Sequence, residues 1–275
     1  MGKAEESGRK VLVGDVAEVI RRFAPESIQE SWDNSGLCVG DAGAEVTGVL
    51  VGFDCTPELV DEAVECGANM IVTHHPLIFS GLKRITPDDA VGLAVMKAVR
   101  GGVAIYSAHT SADKAAGGVS WAMARRMGLE DVEVLDVDRS VSSPGHEYGL
   151  GIIGNLPQAL PAGEAVEMVK AAFGTPAVKC SKIWPDMAVK RIAACGGSGA
   201  SLIPKAREAG AQLYVSGDIS YHHFFTPEGF MVMDVGHYES EAEIVDILFS
   251  LIRKNFHTFA VRMTRTDYTN PIYYL

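Results

Sequence analysis

Three short segments hold most of the residues whose types and spacing can do chemistry. Val72-Thr73-His74-His75-Pro76 sets two imidazoles side by side, and Ser107-Ala108-His109-Thr110-Ser111-Ala112-Asp113 places a carboxylate four residues after an imidazole. Gly236-His237-Tyr238-Glu239-Ser240-Glu241 repeats that spacing with His237 and Glu241. If a helix begins by His237, residues i and i+4 share one face, about one turn apart. Neighbours on a strand point to opposite faces, so His74 and His75 serve one centre only if the chain leaves strand geometry there, or else serve two ions on either side. Pro76 favours the exit. Taken singly, each segment also has a plainer reading: a surface histidine pair at a turn, a turn or cap aspartate at Asp113, and a Glu241 placed to suit the helix dipole. Together they supply four imidazoles and, in Asp113 and Glu241, two carboxylates. That exceeds the need of one tetrahedral zinc, and two divalent ions sharing a carboxylate would use the donors better. The mixed nitrogen and oxygen set suits zinc, manganese, iron, cobalt or nickel more than magnesium or calcium.

Such residues need a scaffold that gathers them, and the apolar pattern describes one. Val46 to Phe53 reads as a buried strand, Thr56-Pro57 as an N-cap with proline at the first helical position, Glu58 to Cys66 as a helix stopped by Gly67, and Ala68 to Val72 as a second strand. A helix between two short buried strands predicts a βαβ unit with parallel strands. The alternation continues with a helix over Asp88 to Arg100, a strand over Val103 to Tyr106 and a helix over Gly118 to Met127. A polar stretch, Asp136 to His146, then precedes strands at Leu150 to Ile153, Ala177 to Ile183, Val189 to Ala194, Leu213 to Ser216, Phe230 to Val235 and Thr258 to Met263. Helices are expected near Pro161 to Phe173, Ala200 to Ala209 and Glu239 to Lys254. The expected class is α/β, with two interlinked α/β domains whose mixed or parallel sheets are flanked by helices. Residues 1–135 with 230–275 would form a metal-binding domain, and 136–229 a second, inserted one. Six of the eight histidines (His74, His75, His109, His222, His223 and His237) fall just after expected strands or in the segments that follow them. Beyond the carboxyl ends of parallel strands is where ligands gather in open α/β sheets.

Composition narrows the partners. The 275 residues carry a formal net charge of −11, which argues against broad binding to a phosphate backbone while leaving room for a local cationic site. No run of 18 apolar residues predicts a membrane span, the first ten residues are charged, and the five cysteines include no C-x-x-C pair; a cytoplasmic protein with reduced thiols is expected. Gly196-Gly197-Ser198-Gly199 lacks the Lys-Ser/Thr of a P-loop and the third glycine of a dinucleotide fingerprint. It reads as a tight strand-to-helix turn.

Along nearly its whole length the chain resembles the YbgI-like proteins, a family of dinuclear-metal-centre, hexameric proteins that includes type 2 GTP cyclohydrolase homologues. The resemblance rests on Glu30-Ser31-Trp32-Asp33-Asn34-Ser35-Gly36-Leu37, Thr73-His74-His75-Pro76-Leu77, His109 to Asp113, Gly196 to Gly199, Ser216-Gly217-Asp218 with Tyr221-His222, and Gly236 to Glu241, in this order. It implies that His74, His75, Asp113, His237 and Glu241 hold two divalent metal ions, and that His109 and His222 lie close by to bind substrate or carry protons. Departures are His223, where an acidic residue is expected, and Ser111-Ala112 before Asp113, where the family more often has Asn-Leu. The implied function is a metal-dependent hydrolase acting on a small anionic or nucleotide substrate, GTP cyclohydrolase-like, in a homo-oligomer, a hexamer by resemblance. Two other readings fit the same residues: a metal-binding scaffold or regulatory protein with little catalysis, and a phosphoesterase using Lys83, Arg84 and Lys114.

Overall fold

The computed structural model describes residues 10–265 and 270–275. The charged start at 1–9 and the beginning of the aromatic tail, Tyr268 included, lie outside the described residues. In chain order the elements of the first part are α1 (Val13–Phe23), β1 (Gly36–Val39), β2 (Gly48–Gly52), α2 (Pro57–Glu65), β3 (Met70–Thr73), α3 (Ala90–Gly101), β4 (Ala104–Ser107) and α4 (Thr110–Lys114). The second part holds α5 (Val119–Arg126), β5 (Glu130–Val137), β6 (Gly149–Pro161), α6 (Ala162–Phe173), β7 (Lys179–Cys180), β8 (Ala188–Ala194), α7 (Ile203–Glu208), β9 (Leu213–Ser216), β10 (Met231–Asp234) and α8 (His237–Glu241). It closes with α9 (Glu243–Asn255) and β11 (Ala260–Met263).

The chain divides into two compact units, Met1–Ser111 with Val245–Thr269, and Ala112–Ile244 with Asn270–Leu275. The sequence expectation of a first domain made of 1–135 and 230–275 differs from this division, which falls at 112 and 245 and gives Asn270–Leu275 to the second unit. Packing explains the difference: α5 buries Met123 and Ala124 in the same core as strands β6, β8 and β9, and β10 is hydrogen-bonded between β9 and β7.

The first unit contains a five-stranded sheet in the order β1-β4-β3-β2-β11, with β4, β3, β2 and β11 mutually parallel and β1 antiparallel to β4. The parallel βαβ unit read from Val46 to Val72 is present. Local chemistry sets its boundaries. The Thr56 hydroxyl accepts from the Leu59 amide and Pro57 opens α2; the Asp89 carboxylate accepts from the Gly92 amide at the start of α3, which ends at Gly102 with φ +64°. Leu50, Ile71 and Ile105 project from one sheet face onto Leu59, Val60 and Ala63 of α2 and Ala94, Val95 and Ala98 of α3.

The second unit contains a six-stranded sheet in the order β5-β6-β8-β9-β10-β7. β8, β9 and β10 are parallel, whereas β5, β6 and β7 pair antiparallel. Alternate residues feed two cores: Ile192, Leu213, Val215, Met231 and Met233 face α5 and α6, and Ala193, Tyr214 and Val232 face Leu202 and Ala206.

Several expected elements change at the level of single residues. The polar stretch after Asp136 is preceded by strand β5, whose exposed, alternating Glu-Asp-Val-Glu-Val pattern suits an edge that pairs with β6. The expected strand Ala177 to Ile183 shrinks to the two-residue β7. Ala200–Leu202 forms a 3₁₀ turn and α7 follows, with Pro204 in its first turn where no amide hydrogen is needed. The expected helix Glu239 to Lys254 is two helices, α8 and α9. No helix among the described residues is long and apolar enough to cross a membrane.

Within the second unit the buried Lys114 ammonium, at the end of α4, lies 2.6 Å from Asp138 Oδ2. Lys114, with hydrogen bonds from the Ser140 side chain and amide, holds the Asp138 carboxyl down to about 2. A depressed carboxyl contributes stability above its unfolded value, and loses it as pH falls through the folded value. Asp138→Asn should therefore lower stability by about 1–2 kcal/mol near neutrality, with a deficit that closes as pH falls from about 4 to about 2. Urea denaturation of both proteins across that range would read this out; a constant deficit would refute the charge assignment.

Candidate functional site

In the first unit the histidines sit where adjacent parallel strands end. Asp54 follows β2, His74 and His75 follow β3, and His109 follows β4. The backbone abandons strand geometry after Thr73: the amides of both His74 and His75 donate to the same acceptor, the Phe53 carbonyl, at 3.2 and 3.1 Å. That shared acceptor lets adjacent side chains turn to one side, with ring centroids 5.0 Å apart. The Thr73 and Ser107 hydroxyls donate to the His75 carbonyl at 2.8 and 3.2 Å, bracing the bend. His109 completes the group, its ring 5.4 Å from that of His74 and 5.3 Å from that of His75. One ligand atom from each of the three lies within 4.8 Å of the others.

Each ring is tied through the same nitrogen. Nδ1 of His74 lies 2.8 Å from the Ala108 carbonyl, Nδ1 of His75 lies 2.8 Å from Asp54 Oδ1, and Nδ1 of His109 lies 2.7 Å from Asp33 Oδ1. A carbonyl and a carboxylate only accept, so Nδ1 carries the hydrogen in every case, and a neutral ring then keeps its lone pair on Nε2. Donation of the second ring nitrogen to a carboxylate or carbonyl is the usual support of a metal-ligating histidine.

Asp33 anchors this arrangement. Its side chain is wholly buried, and its oxygens accept from the Asn34 amide at 2.7 Å, the Ser35 hydroxyl at 2.9 Å, and the Thr110 amide and hydroxyl at 3.0 and 2.5 Å, besides His109. Burial pushes the Asp33 carboxyl upward, but the hydrogen bonds from His109 and Thr110 outweigh it and hold the group well below the usual carboxylate range.

The second unit repeats the device. Gly196-Gly197 follow β8, Asp218 follows β9 and His237 follows β10, three adjacent parallel strands. His237 opens α8, so the i, i+4 reading holds: its Nε2 lies 3.0 Å from Glu241 Oε2, while its Nδ1 lies 2.8 Å from Asp218 Oδ2. Donor atoms this close are within reach of one metal ion, whose bonds to nitrogen and oxygen run about 2.0–2.2 Å. Asp113 offers a ligand atom within 4.8 Å of one from Glu241. Asp218 takes a left-handed backbone, φ +49°, unusual for a residue with a Cβ, and also accepts from the Ser198 hydroxyl at 3.0 Å.

The glycine-rich segment is a turn, as its sequence suggests. Its amides are already engaged, Gly197 to the Ser240 hydroxyl at 2.9 Å and Gly199 to that of Ser216 at 3.0 Å. Gly197 has φ +59°, and a Cβ there would meet Glu241 Oε1 at 2.3 Å. His222 and His223 lie on an exposed 3₁₀ turn, Tyr221–Phe224, where His222 packs edge-on against Tyr221; neither belongs to the donor groups above. Lys114, weighed as a phosphate contact, is engaged by Asp138. Asp54 carries no motif of its own, and only the fold delivers it to His75.

A sequence profile of the Duf34/NIF3 (NGG1p interacting factor 3) family matches residues 11–271. The chain belongs to the Duf34/NIF3 family. This agrees with the resemblance carried by the motifs. A Lactococcus lactis relative named GTP cyclohydrolase 1 type 2 homolog is 34% identical over 265 residues, covering 95% of this chain and 98% of its own length. The crystal structure of Staphylococcus aureus protein SA1388 superposes with a TM-score of 0.84 at 27% identity, covering 96% of this chain and 99% of the other. Protein ybgI shares the fold at 18% identity, with a TM-score of 0.79 over 94% of this chain and all of the other.

Because Gly197 is both left-handed and pressed against Glu241, Gly197→Ala should cost about 1–3 kcal/mol of stability. Chemical denaturation would measure it. A variant as stable as the parent would show that the turn tolerates a Cβ.

Proposed function

We propose that His74, His75, Asp113, His237 and Glu241 hold two divalent metal ions per chain, drawn from zinc, manganese, iron, cobalt and nickel, and that the protein is a metal-dependent hydrolase of a nucleotide-like substrate. The observation that supports this reading is the common tether of the imidazoles: His74, His75, His109 and His237 all spend Nδ1 on a carbonyl or carboxylate, the support usual behind a metal-ligating histidine, so that coordination would be through Nε2. The donor set of imidazoles and carboxylates fits these metals. When bound, such ions supply Lewis acidity, bringing the pKa of a coordinated water toward neutrality and offsetting charge on the attacked group.

The chain's own part is orientation and proton transfer. Ionised Asp33 fixes the His109 ring and gives it a counter-charge when its Nε2 takes up a proton, the role a buried carboxylate plays behind a general base. His222 is the second proposed proton carrier; its exposed turn keeps it in contact with solvent. The relatives' name suggests GTP as substrate, with hydrolytic opening of the guanine imidazole ring and release of formate. By the same family resemblance the assembly is a homo-oligomer, a hexamer.

Elemental analysis after metal reconstitution should find close to two transition-metal ions per chain; a value near zero would overturn the reading. Glu241→Gln should lower that content, and Asp54→Ala should weaken metal affinity about 10- to 100-fold through the loosened His75 ring. Incubation with GTP should release formate in a chelator-sensitive way. A metal-replete protein inert toward GTP and a panel of nucleotides would instead favour a metal-binding scaffold.

A further inference from the structure

Trp32 and Phe79 are 56% and 55% exposed, although both are large apolar rings in the unit that carries the three-histidine group. Their ring centroids lie 5.6 Å apart, and each lies 6.0 Å from the His109 ring. The three rings thus form a triangle with one corner inside the imidazole group and two open to solvent. The pair is held in place. Asp33, next to Trp32, is fixed by the hydrogen bonds described above, and the Asn34 side chain donates to the Ile78 carbonyl at 2.7 Å, tying the Trp32 loop to the residue before Phe79. Four and five residues beyond Phe79, Lys83 and Arg84 are exposed, and neither enters an ion pair among the described residues.

We infer that Trp32 and Phe79 form a stacking platform for the planar heteroaromatic ring of a mononucleotide, with Lys83 and Arg84 meeting its phosphate. A patch built only to bury apolar chains would not need two cations in a chain of net charge −11. Aromatic faces stack with any base, and an alanine in their place removes that energy without touching phosphate contacts. A ring seated there lies beside His109, so the platform selects the substrate of the hydrolase proposed above and rests on that reading.

Calorimetric titration at fixed salt tests it, with guanosine 5′-monophosphate and ribose 5-phosphate as probes and with both chelator-stripped and manganese-loaded protein. Trp32→Ala and Phe79→Ala should each weaken the nucleotide at least tenfold in both forms, leaving metal content and ribose 5-phosphate binding unchanged. Trp32→Phe should recover most of the loss. The double change Lys83→Ala with Arg84→Ala should weaken both probes. Undiminished nucleotide binding by Trp32→Ala overturns the inference, as does a 5′-phosphorylated oligonucleotide that binds where the mononucleotide does not. A Trp32→Ala variant whose only change is a smaller molar mass by light scattering overturns it too, marking the rings as a subunit contact. Ring-dependent nucleotide binding by protein that takes up no manganese on reconstitution would support the platform while refuting the metal centre.

Discussion

An imidazole can offer a metal or a proton only the nitrogen it does not use elsewhere. In this chain four rings use Nδ1 on the protein itself, His74 on a backbone carbonyl and His75, His109 and His237 on aspartates. This bond sets the tautomer and the direction of Nε2 together, so the donors are oriented before any ligand arrives. Preorganisation of this kind is what lets a cluster of neutral rings bind cations instead of scattering into solvent.

The fold supplies these acceptors twice by the same means. In each unit three adjacent parallel strands end at one sheet edge, and the residues just past those ends provide both the ring and its acceptor: Asp54 and His75 after β2 and β3, Asp218 and His237 after β9 and β10. Parallel strands make this natural, because their carboxyl ends all open on one side. The bends that turn the side chains inward are local. Two amides on the Phe53 carbonyl make one of them, and a left-handed Asp218 beside the glycine turn makes another.

Asp33 shows how far such an arrangement reaches. It lies 76 residues from His109 in sequence, yet its one carboxylate orients that ring and takes both hydrogens offered by Thr110. A buried carboxylate accepting that many hydrogen bonds stays ionised, which suits it to stand behind a proton carrier. The same loop displays Trp32 toward solvent with its ring 6.0 Å from that of His109, so one anchored segment carries both the acceptor of His109 and an exposed aromatic ring.

How much was legible beforehand follows from the range of the forces involved. Strands such as Leu213 to Ser216, the capped helix after Thr56 and the i, i+4 pair His237 and Glu241 are determined by neighbours within a few residues, and periodicity and capping rules read them directly. The exposed edge strand β5 and the break between α8 and α9 escaped because pairing and packing with distant segments decide them. For the same reason the sequence by itself determined which histidines and carboxylates are candidates. Only the tertiary structure decided which nitrogen each ring keeps, since Asp33, Asp54 and Asp218 reach their histidines across 76, 21 and 19 residues. Hydrogen bonds are short and directional, and no spacing rule along the chain foretells a partner that distant.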